Sequence, residues 1–148
     1  MSVPCLRIAD AIVTALTGAT FSQSIAFERV YVPKFDLANA ATIQGKVSPR
    51  SDMREMGSAA NDNATIVIDI GVLKRLQNTL ANQQTELDAL LLLCEEIKAV
   101  INRERLADAE EAICIGTAQE MPYAVEYLDE MRVFLAIIST TFLTTVAI

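Results

Sequence analysis

Three adjacent acidic pairs, Glu95/Glu96, Glu110/Glu111 and Asp129/Glu130, and three cysteines, Cys5, Cys94 and Cys114, are the side chains best suited to chemistry. Paired carboxylates can divide general-acid and general-base work, and a thiolate can act as a nucleophile or a soft metal ligand. The spacing favours neither. Adjacent residues on a helix do not face one another, so Glu95/Glu96 is not a carboxylate dyad. The cysteines form no CxxC pair, and an odd count is not a disulfide framework. Cys94 falls in an apolar helical stripe and reads as a buried free thiol in a reducing compartment. Histidine is absent, which removes the commonest general base, His-dependent triads and every His-containing zinc site. There is no P-loop, no GxGxxG and no GxSxG. The expectation is a protein that is not an enzyme, with no catalytic residues, no metal and no cofactor.

What remains is a question of architecture. The 148 residues suffice for one domain with a real core, and 52% apolar against 21% charged residues is not the balance of a disordered chain. The start, MSVPCLRIADAIVTAL, lacks a basic leader region and carries Asp10 in its apolar run, so it does not read as a signal peptide. Net charge is −7, unevenly spread. Residues 28–75 hold seven Lys/Arg against six Asp/Glu, about +1, and residues 86–130 hold three against twelve, −9. Such a surface repels nucleic acid. A near-neutral half and an acidic half suit a protein that stacks against neighbours; a solvated acidic helix face accounts for them equally well.

The first segment predicts a helix. Ser2 can cap it, Pro4 suits its first turn, and Gly18 lies just past its end. Leu6, Ala9, Val13 and Leu16 share a face that Ile8 and Ile12 widen. SIAFERVYVPKF alternates as a strand that Pro33 stops. ATIQGKVSP repeats the pattern, with Ile43 and Val47 inward and Pro49 as its end. NATIVIDIGVLKRL places Ile66, Ile68, Ile70 and Val72 on one face and Thr65, Val67, Asp69 and Gly71 on the other, and pairs with the preceding strand as an antiparallel hairpin. The next helix carries a capping signal at Thr85 and Asp88 and a stripe of Leu87, Leu90, Cys94, Ile97 and Ile101. AICIGTA reads as a short edge strand, and QEMPYAVEYLDE as a loop with a single helical turn.

The hairpin's connection, residues 49–63, is longer than the usual two to about five residues. A binding loop and a solvated disordered loop both fit it. Arg50, Asp52, Arg54 and Glu55 offer charge of both signs, and Met53 and Met56 offer adaptable apolar contact. These six are candidate interface residues.

After Arg132 come sixteen uncharged residues. A membrane-spanning helix needs about 20 apolar ones, and Ser139, Thr140, Thr141, Thr144 and Thr145 interrupt this run. Its β-branched content favours a strand, placed at 131–146. Val133, Leu135, Ile137 and Leu143 then share one face, and Phe134, Ala136, Ile138, Phe142 and Val146 the other. Both Ile137 and Ile138 are expected to be buried. Either the two helices cover opposite faces, or a second copy of the chain covers one of them. On the second arrangement Ile137 and Phe142 join the candidate interface.

The predicted fold is α+β: a mainly antiparallel sheet of about four strands with two helices packed on it, in one domain spanning 1–148. With this element order, and with FERVYVPKFDL, ATIVIDIGVLKRL, LDALLLLCEEIKAVINRERL and PYAVEYLDEMRVFLAIISTTFLTT, nearly the whole chain resembles the small neck and tail-terminator proteins of tailed bacteriophages. The resemblance implies a structural protein of the virion, made in the host cytoplasm. It implies a homo-oligomeric ring, usually a hexamer, that ends the tail tube and joins it to the head. The partners implied are further copies of the chain, portal- or connector-side proteins and tail-tube proteins. DNA passes through the lumen without being read, and no membrane is involved. A second possibility from the residues is a small adaptor gripping a protein through the 49–63 loop.

Overall fold

A computed structural model describes residues 3–32, 41–76, 80–103, 106, 109–119 and 122–147. Its elements are α1 (Pro4–Gly18), β1 (Ile25–Arg29), β2 (Ile43–Met56), β3 (Asn61–Arg75), α2 (Leu80–Arg103), β4 (Ile113–Ala118), α3 (Val125–Met131) and β5 (Val133–Ala147). The five strands form one sheet in the order β1-β2-β3-β5-β4. Among the described residues only β1 and β2 pair in parallel; the other neighbours are antiparallel. The class is α+β as expected, with one strand and one helix more.

The terminal run is the long strand its β-branched residues demand, and it lies inside the sheet between β3 and β4. β5 pairs with β3 over fifteen residues, from Arg75↔Val133 to Asn61↔Ala147, about 50 Å of ladder. Only Arg132 separates it from α3, and its left-handed backbone (φ 52°) breaks the helix and turns the chain into the strand. No helix among the described residues is long and apolar enough to cross a membrane.

Both long helices lie on one face of this sheet. Ile66, Ile68, Ile70 and Val72 of β3 and Phe134, Ala136, Ile138 and Phe142 of β5 form a single core with Ile8, Ile12 and Leu16 of α1 and Leu90, Leu93, Cys94, Ile97 and Ile101 of α2. Alternation places Thr140 on this face too, and its hydroxyl donates to the Ile68 carbonyl at 2.8 Å, which satisfies a polar atom that burial would otherwise penalise. The arrangement with helices on opposite faces is therefore excluded. Ile138 is fully buried, but Ile137 is 45% exposed on the face that the helices leave open.

Several boundaries differ from expectation for physical reasons. Val3, not Ser2, holds the N-cap position of α1, without a side-chain cap; Ser2 lies outside the described residues. The buried stripe of α1 centres on Ile8, Ile12 and Leu16, while Leu6 and Val13 flank it. α2 begins at Leu80, so Thr85 sits inside it rather than capping it. β1 stops at Arg29, leaving Tyr31 and Val32 exposed beyond its end, and Pro33 lies outside the described residues.

The largest correction concerns 49–63. It is not a long loop: β2 continues through Pro49 to Met56, pairing Ser51–Met56 with Val67–Asp62 of β3, and only residues 57–60 form the turn. Ser58 accepts the Ala60 and Asn61 amides on its hydroxyl and donates its own amide to the Asn61 carbonyl. Pro49 is tolerated because β1 pairs only with Ile43–Val47, so β2 is an outer strand from there on, and its register shifts between Pro49 and Ser51. The adaptor reading loses the loop on which it rested.

Gly45 is a glycine that the packing requires. It stands opposite Phe27 of β1, and a Cβ there would lie 2.5 Å from the Phe27 ring. The ring stacks at a tilt on Phe21, with centroids 6.0 Å apart. Gly45→Val should displace this aromatic pair and cost about 1–3 kcal/mol in chemical denaturation. The same change in a Phe27→Ala background should cost much less; an equal cost in both backgrounds would refute the steric explanation.

Candidate functional site

The residues first singled out for chemistry are dispersed by the fold. Glu95 pairs with Lys98 one helical turn on, while Glu96 turns away and accepts the Ser22 amide and hydroxyl, tying the lead into β1 to α2. Glu111 forms an ion pair with Arg7. The side chains of Asp129 and Glu130 lie outside the described residues. The three cysteines are free. Burial pushes the Cys94 thiol up to about 11, and burial also raises Cys114, whose sulfur sits 3.6 Å from the Gly116 carbonyl. Both are therefore thiols, not thiolates, at neutral pH. No group of three or more potential metal ligands comes together among the described residues. A groove of about 710 Å³ separates the start of α1 from the end of β5, and its two cations, Arg7 and Arg54, are each paired with a carboxylate.

The open face of the sheet is the surface with a distinctive make-up. Cross-strand rows define it. Met53, Thr65, Leu143 and Ile113 form one row; Ser51, Val67, Thr141 and Gly116 the next; Ser48, Asp69, Ser139 and Ala118 the next. Met53 is 67% exposed, and Leu143 and Ile113 are more than 40% exposed. At the centre of the face lies a polar knot. Ser139 donates to Asp69 at 2.7 Å and accepts from Arg50 at 3.2 Å, and Arg50 stands 3.8 Å from the Asp69 carboxylate. The extra residue at the β2 register shift lets Arg50 reach across β3 to β5. Toward the other end this face is covered within the subunit: Leu73 and Val133 are buried and form a small separate apolar cluster with the half-buried Leu135.

The candidate interface residues divide between surfaces. Arg50, Met53 and Ile137 belong to the open face, and Glu55 shares it by alternation. Asp52 and Arg54 lie on the helix side of the distal ribbon, joined by two hydrogen bonds of 2.8 and 2.9 Å, and Met56 stands at its end, 84% exposed. Phe142 does not belong: it is 1% exposed, in the core beside Ile66 and Cys114, because its position in β5 faces the helices. Sequence reasoning missed Asp69, Ser139, Leu143 and Ile113. Each sits at an alternating strand position, and only the pairing register brings them together. No protein-family model matches the chain and no curated protein matches it at a significant level, so the functional argument rests on this geometry and on the sequence resemblance.

Proposed function

We propose that this protein is a non-enzymatic structural subunit of a tailed-phage neck, assembling as a homo-oligomeric ring, six copies on the strength of the resemblance, that ends the tail tube and joins it to the head connector. The observation that carries the reading is a sheet with one face packed under helices and part of the other left open. α1 and α2 cover one face, and the other keeps Met53, Ile113, Ile137 and Leu143 partly exposed. Exposed apolar side chains grouped on one face are the usual mark of a surface that meets another protein, and a second copy is always available in an assembling particle. The charge balance agrees with a DNA passage: at −7 the subunit repels a polyanion, so DNA slides through a lumen rather than adhering to its wall. Portal-side and tail-tube proteins are the further partners on this reading, and the virion is its location.

Sedimentation velocity over a wide concentration range, with negative-stain imaging of the largest species, tests the proposal. The expected result is a concentration-dependent shift to a discrete annular particle. A protein that stays monomeric at every concentration overturns it.

A further inference from the structure

The outline of the sheet suggests how neighbouring copies join. On one side β1 covers only Ile43–Val47 of β2. Beyond it, no strand among the described residues pairs with the outer edge of Ser48–Met56, so the described sheet has a notch there, one strand deep and about 30 Å long. On the opposite side β4 is the outermost strand, and the register fixes its height. Ile113 lies in the row of Met53, and Ala118 in the row of Ser48. The projecting strand and the notch therefore stand at the same level of the sheet.

We infer that β4 of one copy enters the notch of the next and pairs, antiparallel, with its distal β2. The inference rests on the ring reading and supplies its joint. The direction follows from the topology: β4 runs opposite to β5, β5 opposite to β3 and β3 opposite to β2, so β4 runs opposite to β2. Copies related by rotation about an axis along the strands keep that relation. Equal height means each step adds rotation without rise, which closes a ring rather than growing a filament.

Two further features fit. Exposed apolar side chains stand on both parts of the joint: Ile113 and Ile115 on β4, Met53 and Met56 along the notch, and Tyr31 and Val32 at its foot. Both edges are also irregular at one level. Ser51 and Gly116 share a row, and the extra residues Arg50 and Ile115 flank that row on either side. Bulges and prolines on free edges discourage pairing with a regular strand; here each irregular edge offers the other its match.

Cysteine pairing tests this directly. Met53→Cys and Ile113→Cys are made separately in a Cys5→Ser, Cys114→Ala background, mixed and oxidised. A disulfide needs Cα atoms within about 7 Å, so a cross-linked dimer in the mixture, absent from either variant alone, is the expected result. Ile115→Lys should weaken self-association about tenfold or more with an unchanged melting temperature. An oligomer that forms without the cross-link and ignores Ile115→Lys overturns the joint and leaves the ring standing. Cross-linking of Met53→Cys to itself shows a two-fold contact and also overturns it. A monomer at all concentrations removes joint and ring together.

Discussion

Ile138→Lys should abolish cooperative folding or lower the melting temperature by roughly 10–20 °C, while Ile137→Lys should melt within a few degrees of the parent protein. The two isoleucines are consecutive in β5, and their chemistry is the same. Ile138 is fully buried opposite Ile70, beneath the helices, whereas Ile137 stands opposite Gly71 on the open face. An ammonium at position 138 has no anion among the surrounding apolar side chains of the core. Leaving one charge buried and unpaired costs about 3–5 kcal/mol, a large share of the roughly 5–15 kcal/mol that holds a domain of this size together. At position 137 the lysine reaches water directly. Thermal denaturation of the two variants, followed by circular dichroism, checks the contrast, and equal damage from both would show that the open face is covered within the subunit.

The same pair shows where the sequence stops being legible. Alternation said that Ile137 and Ile138 point to opposite faces, and they do. It did not say which face the helices take, because that depends on how α1 and α2 connect to the sheet rather than on any residue of β5. The strongest readings were those with burial written into the period. Ile66, Ile68, Ile70 and Val72 marked β3, and Leu90, Cys94, Ile97 and Ile101 marked α2; all are buried as the spacing required. β5 was legible because β-branched residues crowd a helix and suit a strand.

The distal ribbon was illegible for the opposite reason. Residues 50–56 and 61–63 contain few strand-forming side chains, and by composition they belong to the connection expected over 49–63. They pair because β3 is held along its whole length by β5, through Asn61↔Ala147, which gives β2 a template to extend along. Tertiary context overrode local preference there. The polar knot was hidden likewise: Arg50, Asp69 and Ser139 are far apart in the chain, and only the register shift at β2 aims the arginine across β3 to β5.

Phe142→Ala should destabilise the subunit by about 3–5 kcal/mol, and its neighbour Leu143→Ala by less than about 1 kcal/mol. The larger loss follows from position. Phe142 is among the largest fully buried side chains and packs in a core shared by both long helices, flanked in the sheet by Ile66 and Cys114. Removing its ring opens a cavity that three paired strands are poorly placed to close. Leu143 is 41% exposed and sits in the row of Met53 and Ile113, so truncation sheds little that folding had buried. The two variants also separate folding from assembly. Phe142→Ala should shift the urea midpoint strongly, because the side chain belongs to the fold. Leu143→Ala should leave that midpoint nearly unchanged while weakening self-association, because its exposed half is free to meet a neighbouring copy. A midpoint for Phe142→Ala close to that of the parent would mean that the ring is not part of the core, and the assignment of the two faces of β5 would fall with it.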